Sequence, residues 1–267
     1  MTPTRTRTST PRLTPRRWPA DVHTLGIDVG GTGLKAAVLD ASGEMASQRV
    51  RVETPYPCPP TVLIPSLVTL AASLPMRYDR VSVGFPGLVR GGLVYNIPAL
   101  SRRSYLGETD PALVAAWHGF DLGRALSEAF SVPVKVANDA DVQGCAVVTG
   151  HGFEFVITLG TGVGTSLFSN GILLPHLELG HTPFRKGESF EDQLGNAARK
   201  AVGNERWAVR VGKAIETYDQ FLFFDRVYLG GGNSAKLTES PHPKAQIVPN
   251  SAGITGGLKI WTMDIHN

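Results

Sequence analysis

The stretch Leu25–Asp40, LGIDVGGTGLKAAVLD, carries the clearest structural signal in the chain. It predicts an apolar strand that reaches Asp28, a tight turn, and a second strand from Leu34 to Leu39. Small residues let backbone N–H groups approach an anion closely, and a neighbouring carboxylate can hold Mg²⁺ directly or through water. The pattern fits a phosphate-binding turn, and it equally fits an ordinary hairpin with an acid at its edge.

A second strand–turn–strand pattern occurs later in the chain. Phe153–Leu159 predicts an apolar strand, and Thr165–Phe168 predicts its partner after the turn. The turn between them contains Gly160, Thr161, Gly162, Val163 and Gly164. Because the same unit occurs twice, we expect two related halves, each of which offers a phosphate-binding turn to one cleft.

The composition limits the class of protein. With 267 residues, of which 42% are hydrophobic and 18% charged, the chain is long enough for one large or two modest domains. Its net charge of +3 arises from a basic N-terminal tail, so we expect no nucleic-acid partner. No apolar run approaches the ~18–20 residues of a membrane span, which predicts no membrane association. Two cysteines fit a reducing cytoplasm.

The predicted organisation is a tail followed by two domains. Residues 1–21 resemble an organelle transit peptide in composition, but four prolines block an amphipathic helix, and a disordered tail is predicted instead. Residues 22–138 form the smaller N-terminal domain and residues 139–251 the larger C-terminal one. A last helix, at about 252–267, can pack back on the first domain. A Rossmann domain and a P-loop NTPase are disfavoured because neither glycine motif is present.

The sequence also makes a prediction for each of two further segments. Residues 189–202 predict one helix that begins with a capping box formed by Ser189 and Asp192. Residues 100–117 show no clear periodicity, and an irregular connection is expected there.

Asp139 is the candidate catalytic base. It follows the predicted strand Pro133–Ala137 and precedes small, helix-compatible residues, so a helix dipole is expected to keep its carboxylate ionised. There it can accept the proton of a substrate hydroxyl that attacks a phosphoryl group. Asn138 can hydrogen-bond to a polyol. The alternative is that Asp139 or Asp141 only caps the helix, and Asp141 fits this role better.

A second polar group follows at Glu178, His181 and Glu191. A carboxylate and an imidazole in one loop can each bind a neighbouring hydroxyl group. His181 can also bind a metal, but no cysteine follows to complete a zinc site, so no zinc is expected.

Residues 185–213 contain seven basic and four acidic side chains. Such a stretch is typical of a solvated helical surface. It also fits a track for an extended polyanion, because repeated Lys and Arg contacts give an affinity that depends strongly on salt. The candidate track residues are Lys186, Arg199, Lys200 and Arg206.

Six motifs in this order resemble those of the ROK sugar kinases of the actin-like ATPase superfamily, in particular their polyphosphate glucokinase branch. The motifs are Asp28–Gly33, Gly84–Gly87, Asn138–Asp139, Leu159–Gly164, Glu178–His181 and Gly230–Gly232. The resemblance implies an α/β fold of the actin-like, ribonuclease H-like kind, with two domains around a central cleft. It also implies Mg²⁺-dependent transfer of a phosphoryl group from inorganic polyphosphate or ATP to the 6-hydroxyl of glucose and mannose, with Asp139 as general base.

The resemblance further implies the residues of each subsite. The phosphate and nucleotide site would contain Asp28 as the Mg²⁺ residue, with Gly30, Gly31, Thr32, Gly33, Gly160, Thr161, Gly162, Gly164, Gly230, Gly231 and Gly232. The basic side chain of Lys35 is a further candidate for the phosphate site. The hexose site would contain Phe85, Pro86, Gly87, Asn96, Asn138, Glu178, His181 and Glu191.

The chain departs from the ROK pattern at residues 181–192, HTPFRKGESFED, which lack the cysteines of the family's zinc motif. This removes zinc and weakens the assignment of Glu191 to the sugar. The lack of a helix-turn-helix module ahead of Val22 disfavours the repressor branch. Two alternatives stay open, namely a non-catalytic sugar sensor and a strictly ATP-dependent hexokinase. The expected assembly is a monomer or a homodimer.

Overall fold

The computed structural model describes residues 18–249 and 252–262. Most of the predicted tail, residues 1–17, and the last part of the predicted final helix, residues 263–267, lie outside the described residues. Within the described ranges, no helix combines the length and the apolar composition that a membrane crossing requires.

The first half of the chain is built on a five-stranded mixed sheet. Its elements in chain order are β1 (Thr24–Val29), β2 (Leu34–Leu39), β3 (Val50–Val52), α1 (Pro60–Ala72), β4 (Arg80–Phe85), β5 (Leu88–Arg90), β6 (Leu93–Asn96), α2 (Pro111–Trp117), α3 (Leu122–Phe130) and β7 (Val134–Asn138). The strand order is β3-β2-β1-β4-β7. The first three strands form an antiparallel meander, and β4 and β7 continue the sheet parallel to β1.

The second half repeats this plan. Its elements are α4 (Asp139–Val147), β8 (Phe153–Leu159), β9 (Val163–Ser169), β10 (Ile172–Leu173), β11 (Pro183–Arg185), β12 (Glu188–Ser189), α5 (Phe190–Leu194), α6 (Asn196–Val202), α7 (Asn204–Leu222), β13 (Arg226–Gly230), β14 (Ala245–Ile247) and α8 (Ala252–Lys259). The strand order is β10-β9-β8-β13-β14. Again an antiparallel meander is followed by two parallel strands. The predicted repeat is therefore confirmed.

In each half of the chain, buried apolar side chains pack a helix against the sheet. In the first half, Leu25, Ile27 and Val29 of β1 point to one face and pack with α1 residues such as Leu63 and Leu67, all fully buried. In the second half, α7 buries a stripe at helical spacing against the sheet, as its periodicity predicted. That stripe consists of Trp207, Val211, Ile215 and Tyr218.

The last helix, α8, packs on the first sheet and on α4 through glycines. The backbone of Gly256 lies so close to the Val142 carbonyl that a Cβ there would be 1.8 Å from the oxygen. The Ser82 hydroxyl on β4 donates to the Gly257 carbonyl, and Ile254 fills the space above Gly26 of β1. These glycines lower helix propensity, but they permit the close approach that joins α8 to the first half. The domain boundaries themselves stay a prediction.

The single helix expected at residues 189–202 is two helices. The capping box at Ser189 and Asp192 is present and starts α5, but Gly195 is extended and separates α5 from α6. A Cβ on Gly195 would lie 2.8 Å from the Thr161 carbonyl oxygen. The break thus follows from the approach of the chain to the second glycine-rich turn. Similarly, the region expected to be irregular contains α2, which Asp110 caps through the Ala112 amide.

Candidate active site

Three neighbouring parallel strands end at one edge of the first sheet and carry the predicted catalytic motifs there. The register pairs Asp28 with Gly84 on β1 and β4, and Phe85 with Asn138 on β4 and β7. A Cβ on Gly84 would lie 3.6 Å from the Cα of Asp139. In open α/β sheets the carboxyl ends of parallel strands are the usual ligand site, and the structure brings these motifs together at that edge.

Asp28 pairs with Lys35 across the β1–β2 hairpin. The Lys35 Nζ lies 2.7 Å from the Asp28 Oδ2, and both side chains are partly exposed. A partly exposed pair contributes little to folding. Because both side chains are partly exposed and lie on either side of the first glycine-rich turn in the chain, both can reach a phosphate or a cation bound at that turn.

Side chains from β3 and the loop after it bind three successive carbonyl groups of the first turn. Arg51 donates to Thr32 at 3.0 Å, Thr54 to Gly30 at 2.5 Å, and Tyr56 to Gly31 at 2.8 Å. In a trans peptide the following N–H points away from the carbonyl. The amides of residues 31–33 consequently point away from these side chains, and none of them donates to a partner within the described residues. The turn presents three N–H groups to an anion.

The second turn is held in the same way. The Asn233 side chain donates to the Gly160 carbonyl at 2.9 Å, and the backbone amide of Asn196 lies 3.0 Å and 3.2 Å from the Gly160 and Thr161 carbonyl oxygens. Thr161 is exposed at the tip of this turn, as Thr32 is in the first. A Cβ on Gly164 would lie 2.9 Å from the Cβ of Ala140, so the second turn is close to the start of α4.

Asp139 begins α4 between the two turns, and its Oδ1 accepts a hydrogen bond from the Ala140 amide at 2.9 Å. Burial, together with the charge of Asp28, raises the pKa of the Asp139 carboxyl to about 7. The expectation that the helix dipole dominates was wrong in direction, because desolvation and a like charge outweigh the amide contact. A carboxylate with this pKa is a strong proton acceptor that is still ionised in much of the population at neutral pH.

Asn138 caps α4, so the alternative that Asp141 is the cap is wrong. The Asn138 Oδ1 accepts from the Ala140 amide at 2.7 Å, and its Nδ2 donates to the Gly87 carbonyl at 3.1 Å. Asn138 thereby fixes both the start of α4 and the loop after β4. The Nδ2 group carries a second hydrogen that this contact does not use.

Asp141 instead belongs to a buried line of charges with His176 and Glu178. The His176 Nδ1 lies 3.1 Å from the Asp141 Oδ1, and its Nε2 lies 3.5 Å from the Glu178 Oε1. Burial alone would lower the pKa of His176, but these two carboxylates raise it to about 10. Burial raises the pKa of Asp141. Burial would also raise the pKa of Glu178, yet the contacts with His176 hold it below its usual value.

His181 lies between Glu178 and Glu191. Its Nδ1 is 4.0 Å from the Glu178 Oε2, and its Nε2 is 3.7 Å from the Glu191 Oε2. The same Glu191 oxygen accepts a hydrogen bond from the Val163 amide at 3.1 Å. The structure thus brings the predicted hexose residues of this segment together and connects them to the second turn. Their contact with a sugar stays a prediction.

Residues 85–87 and Asn96 form the other predicted edge of the sugar site. The Phe85 ring is fully buried and packs on Trp117 with 5.4 Å between centroids, so only its backbone can meet a ligand. A Cβ on Gly87 would lie 2.3 Å from the Asn96 carbonyl oxygen. Pro86 is partly exposed and Asn96 is exposed, which leaves both side chains accessible to a ligand.

The glycines that follow β13 lie beside the second turn. Gly231 has a φ of +83°, and a Cβ there would lie 2.4 Å from the Leu159 carbonyl oxygen. Asn233 donates its backbone amide to that carbonyl at 2.9 Å. Gly232 has open space around its Cβ position, and Gly230 is buried at the strand end. The predicted nucleotide contact at these three glycines stays untested.

The four candidate track residues have different surroundings. Lys186 is exposed at the β11–β12 turn, and Lys200 and Arg206 are exposed on α6 and α7. Arg199 is partly buried, and its terminal nitrogens donate to Asn196 at 3.0 Å and Asn204 at 2.7 Å. The three exposed side chains can reach a polyanion freely, whereas Arg199 holds α6 and α7 together.

Metal-binding capacity is limited in this region. Over residues 18–249 and 252–262, no three His, Cys, Asp or Glu side chains are arranged to hold a metal ion by themselves. Asp28 presents a single carboxylate beside a glycine turn. That donor set suits Mg²⁺, which phosphate-transferring sites bind through one or two carboxylates together with substrate phosphates.

The matched sheets and the paired turns define the α/β fold of the actin-like ATPases, which confirms the predicted fold class. The profile of the ROK family matches residues 24–232, and the chain belongs to that family. The resemblance to its polyphosphate glucokinase branch is confirmed by curated relatives. The polyphosphate glucokinase of Mycobacterium tuberculosis (strain ATCC 25618 / H37Rv) is 29% identical over 283 residues, covering 99% of each chain. That of Mycobacterium leprae (strain TN) is 26% identical, covering 99% of this chain and 84% of the relative.

Solved structures agree. The inorganic polyphosphate/ATP-glucomannokinase from Arthrobacter sp. strain KM is 28% identical, with a TM-score of 0.76 over 91% of this chain and 99% of that one. A ROK family glucokinase from Streptomyces griseus, in complex with glucose and AMPPNP, is 18% identical, with a TM-score of 0.71 over 89% and 98% of the two chains. At that identity the second likeness shows the fold alone.

Sequence patterns did not identify Arg51, Tyr56 and His176, whose side chains hold the glycine-rich turn or the candidate site residues in place. Arg51 lies opposite Lys35 in the β2–β3 register, and strand alternation was the only signal for it. Tyr56 and His176 sit in proline-containing loops. Their contacts depend on how distant strands align, which no local pattern reports.

Proposed function

We propose that the protein is a phosphotransferase that moves a phosphoryl group from inorganic polyphosphate or ATP to the 6-hydroxyl of glucose, and also of mannose. The observation that carries the proposal is the position of Asp139 at the start of α4, near Gly84 of β4 and next to Ala140, which Gly164 of the second turn approaches. Its pKa of about 7 suits a general base. The names of the relatives, polyphosphate glucokinase and polyphosphate/ATP-glucomannokinase, support the same donors and acceptors.

Asp139 would act as the general base. It would accept the proton of the 6-hydroxyl while that oxygen attacks the terminal phosphorus; the P–O bond to the rest of the donor breaks, and ADP or the shortened polyphosphate leaves. A base placed in this way accelerates the step by about 10²–10⁴. The remaining sugar hydroxyls would be held by polar groups on both sides of Asp139. These are Asn138, Glu178, His181 and Glu191 on one side, and Pro86, Asn96 and the backbone of Phe85 and Gly87 on the other.

The donor phosphates would bind to the amides of the two glycine-rich turns. Because the turn carbonyls are already held, by side chains in the first turn and by the Asn233 side chain and the Asn196 amide in the second, these N–H groups would need little reorganisation when charge develops on the phosphoryl oxygens. Lys35 adds a positive charge near the first turn. Asp28 would hold Mg²⁺ directly or through water, and the bound ion would neutralise phosphate charge. Gly230, Gly231 and Gly232 would lie beside the nucleoside of ATP.

A chain of contacts supports polyphosphate as a donor. The Asn196 amide lies 3.0 Å from the Gly160 carbonyl oxygen, and the Asn196 side chain accepts from Arg199 at 3.0 Å. The basic residues of α6 therefore start next to the second turn. A polyphosphate whose end lies in the cleft would continue past Lys200, Lys186 and Arg206, where the exposed charges lower its free energy of binding.

The proposal is tested by measuring sugar-6-phosphate formation with ATP and with long-chain polyphosphate as separate donors. Turnover of glucose with both donors supports it. A strictly ATP-dependent hexokinase would turn over with ATP alone. A sugar sensor would bind glucose without forming product with either donor. We further propose that the enzyme works in the cytoplasm, as a monomer or a homodimer, and size-exclusion chromatography with light scattering distinguishes these two assemblies.

A further inference from the structure

We infer that His176 and Asp141 are positioning residues that hold Glu178 in the orientation in which it binds the hexose. The inference rests on the proposed function, and it assigns a role to two residues outside the predicted hexose and phosphate sites. Both act through Glu178 rather than by touching the sugar.

The geometry places His176 between two carboxylates from different elements. Asp141 projects from the first turn of α4, and Glu178 from the segment after β10. The His176 Nδ1 to Asp141 Oδ1 distance of 3.1 Å is a hydrogen bond, whereas the buried Nε2 makes no hydrogen bond within the described residues and lies 3.5 Å from the Glu178 Oε1 as an ion-pair contact. The imidazole therefore connects the helix that carries Asp139 to the segment that carries Glu178.

The surroundings show that His176 is turned inward for these contacts. Its neighbours in the chain, Pro175 and Leu177, are exposed, whereas the His176 side chain is only 2% exposed. Burying charged groups costs free energy, and an apolar side chain of similar size would fill the same space at lower cost. A histidine here is therefore better explained by the orientation of Glu178 than by packing.

The carboxylates around His176 also favour a positive charge at that position. Glu178 adds to the rise that burial causes in the pKa of Asp139 and of Asp141, and His181 is the other titratable group beside Glu178. The His176 cation compensates for these carboxylates. Without it, Glu178 gains protons more readily and loses its fixed direction, so the predicted effect is on sugar binding rather than on donor binding.

The test compares His176→Asn and Asp141→Asn with Tyr228→Phe. Tyr228 is buried and donates to Glu154 at 2.7 Å, so its variant also removes one buried contact to a carboxylate, outside the site. Glucose binding is measured by calorimetry without a donor, beside KM for ATP and the melting temperature. We expect both site variants to weaken glucose binding by about tenfold and to leave KM for ATP within about twofold. His176→Asn should also move the acid limit of glucose binding to higher pH, because Glu178 loses the cation beside it. Tyr228→Phe should change only the melting temperature.

A second measurement separates positioning from a loss of folding. In a Glu178→Gln background, His176→Asn should weaken glucose binding by less than about twofold, since the two residues act as one unit. Additive effects, or a lower melting temperature with unchanged glucose affinity in the single variant, would overturn the inference. If the wild-type protein binds glucose but forms no sugar phosphate, the proposed reaction fails while the inference still stands. Wild-type protein that binds no glucose would overturn both.

Discussion

The hydroxyl of Tyr56 lies 2.8 Å from the Gly31 carbonyl oxygen and 3.0 Å from that of Ala99. This contact ties the first glycine-rich turn to the loop that follows β6. Together with the bonds from Arg51 and Thr54, it keeps the turn's carbonyl groups away from the cleft. Donors fixed in advance stabilise developing charge without reorganising during the reaction, so these side chains should matter to donor use.

Tyr56→Phe tests this relationship. Loss of one neutral hydrogen bond costs about 1 kcal/mol, so KM should rise by about fivefold for both ATP and polyphosphate, while KM for glucose stays within about twofold. The matched control is Tyr78→Phe, because Tyr78 is partly buried against Phe130 near the start of β4, at the far end of that strand from the site. Steady-state kinetics with each substrate varied in turn gives the answer. A change in KM for glucose alone would contradict the assignment.

Adjacent glycines after β13 provide a second test. At Gly231 the φ of +83° and the Leu159 carbonyl exclude a side chain, whereas Gly232 has open space. Gly231→Ala should lower the free energy of unfolding by about 2 kcal/mol or more, and Gly232→Ala should change it by less than about 0.5 kcal/mol. Urea unfolding of both variants measures the difference. Equal losses of unfolding free energy in the two variants would contradict the close approach of Gly231 to the Leu159 carbonyl.

The pH dependence follows from the raised pKa of Asp139. A base works only when deprotonated, so kcat/KM for glucose should fall as pH drops below about 7. Glu178 stays ionised in this range because its pKa is held low, and His176 stays protonated because its pKa is about 10. A pH–rate profile measures this fall as the acid limb of the curve. Asp28→Asn should move the limb of the residual activity to lower pH. An acid limb near the ordinary aspartate pKa of about 4 in the wild type would contradict the proposal.

The basic residues make separable predictions. A Lys186→Gln, Lys200→Gln double variant should weaken polyphosphate use and reduce its salt dependence, because two phosphate contacts are lost, with ATP kinetics unchanged. Arg49→Gln removes an exposed charge in the first half and serves as the control. Arg199→Gln should instead lower the melting temperature and affect both donors alike, since Arg199 joins α6 to α7. Rates across a salt series measure each variant. Equal losses with both donors in the double variant would mean that the track is solvated surface.

Much of this fold could be predicted because its signals are local. The strands on either side of Gly30–Gly33 and Gly160–Gly164 are apolar runs bounded by glycine, so both hairpins and their repeat were visible in sequence. The position of Asp139 at the start of α4 was predicted because a strand, an acid and a helix follow directly in the chain. The start of α2 was also signalled, by Asp110 as cap and Pro111 at the first helical position, but the surrounding residues obscured it.

What sequence could not predict depends on contacts between distant segments. The pKa of Asp139 rises because burial and Asp28 act on it across the sheet. The break at Gly195 exists because that backbone approaches Thr161. The pairing of Asp141 with His176 joins α4 to the segment after β10. In each case the cause is the alignment of two elements, and neither sequence segment alone contains it.

The most direct test of the proposed reaction compares the turnover of Asp139→Asn with the affinity of the same variant for glucose. The substitution keeps the size of the side chain and removes its ability to accept a proton. We expect kcat to fall by about 10²–10⁴ with either donor, while the glucose affinity measured by calorimetry stays within about threefold of the wild type. Near-normal turnover in this variant would contradict the assignment of Asp139 as the base.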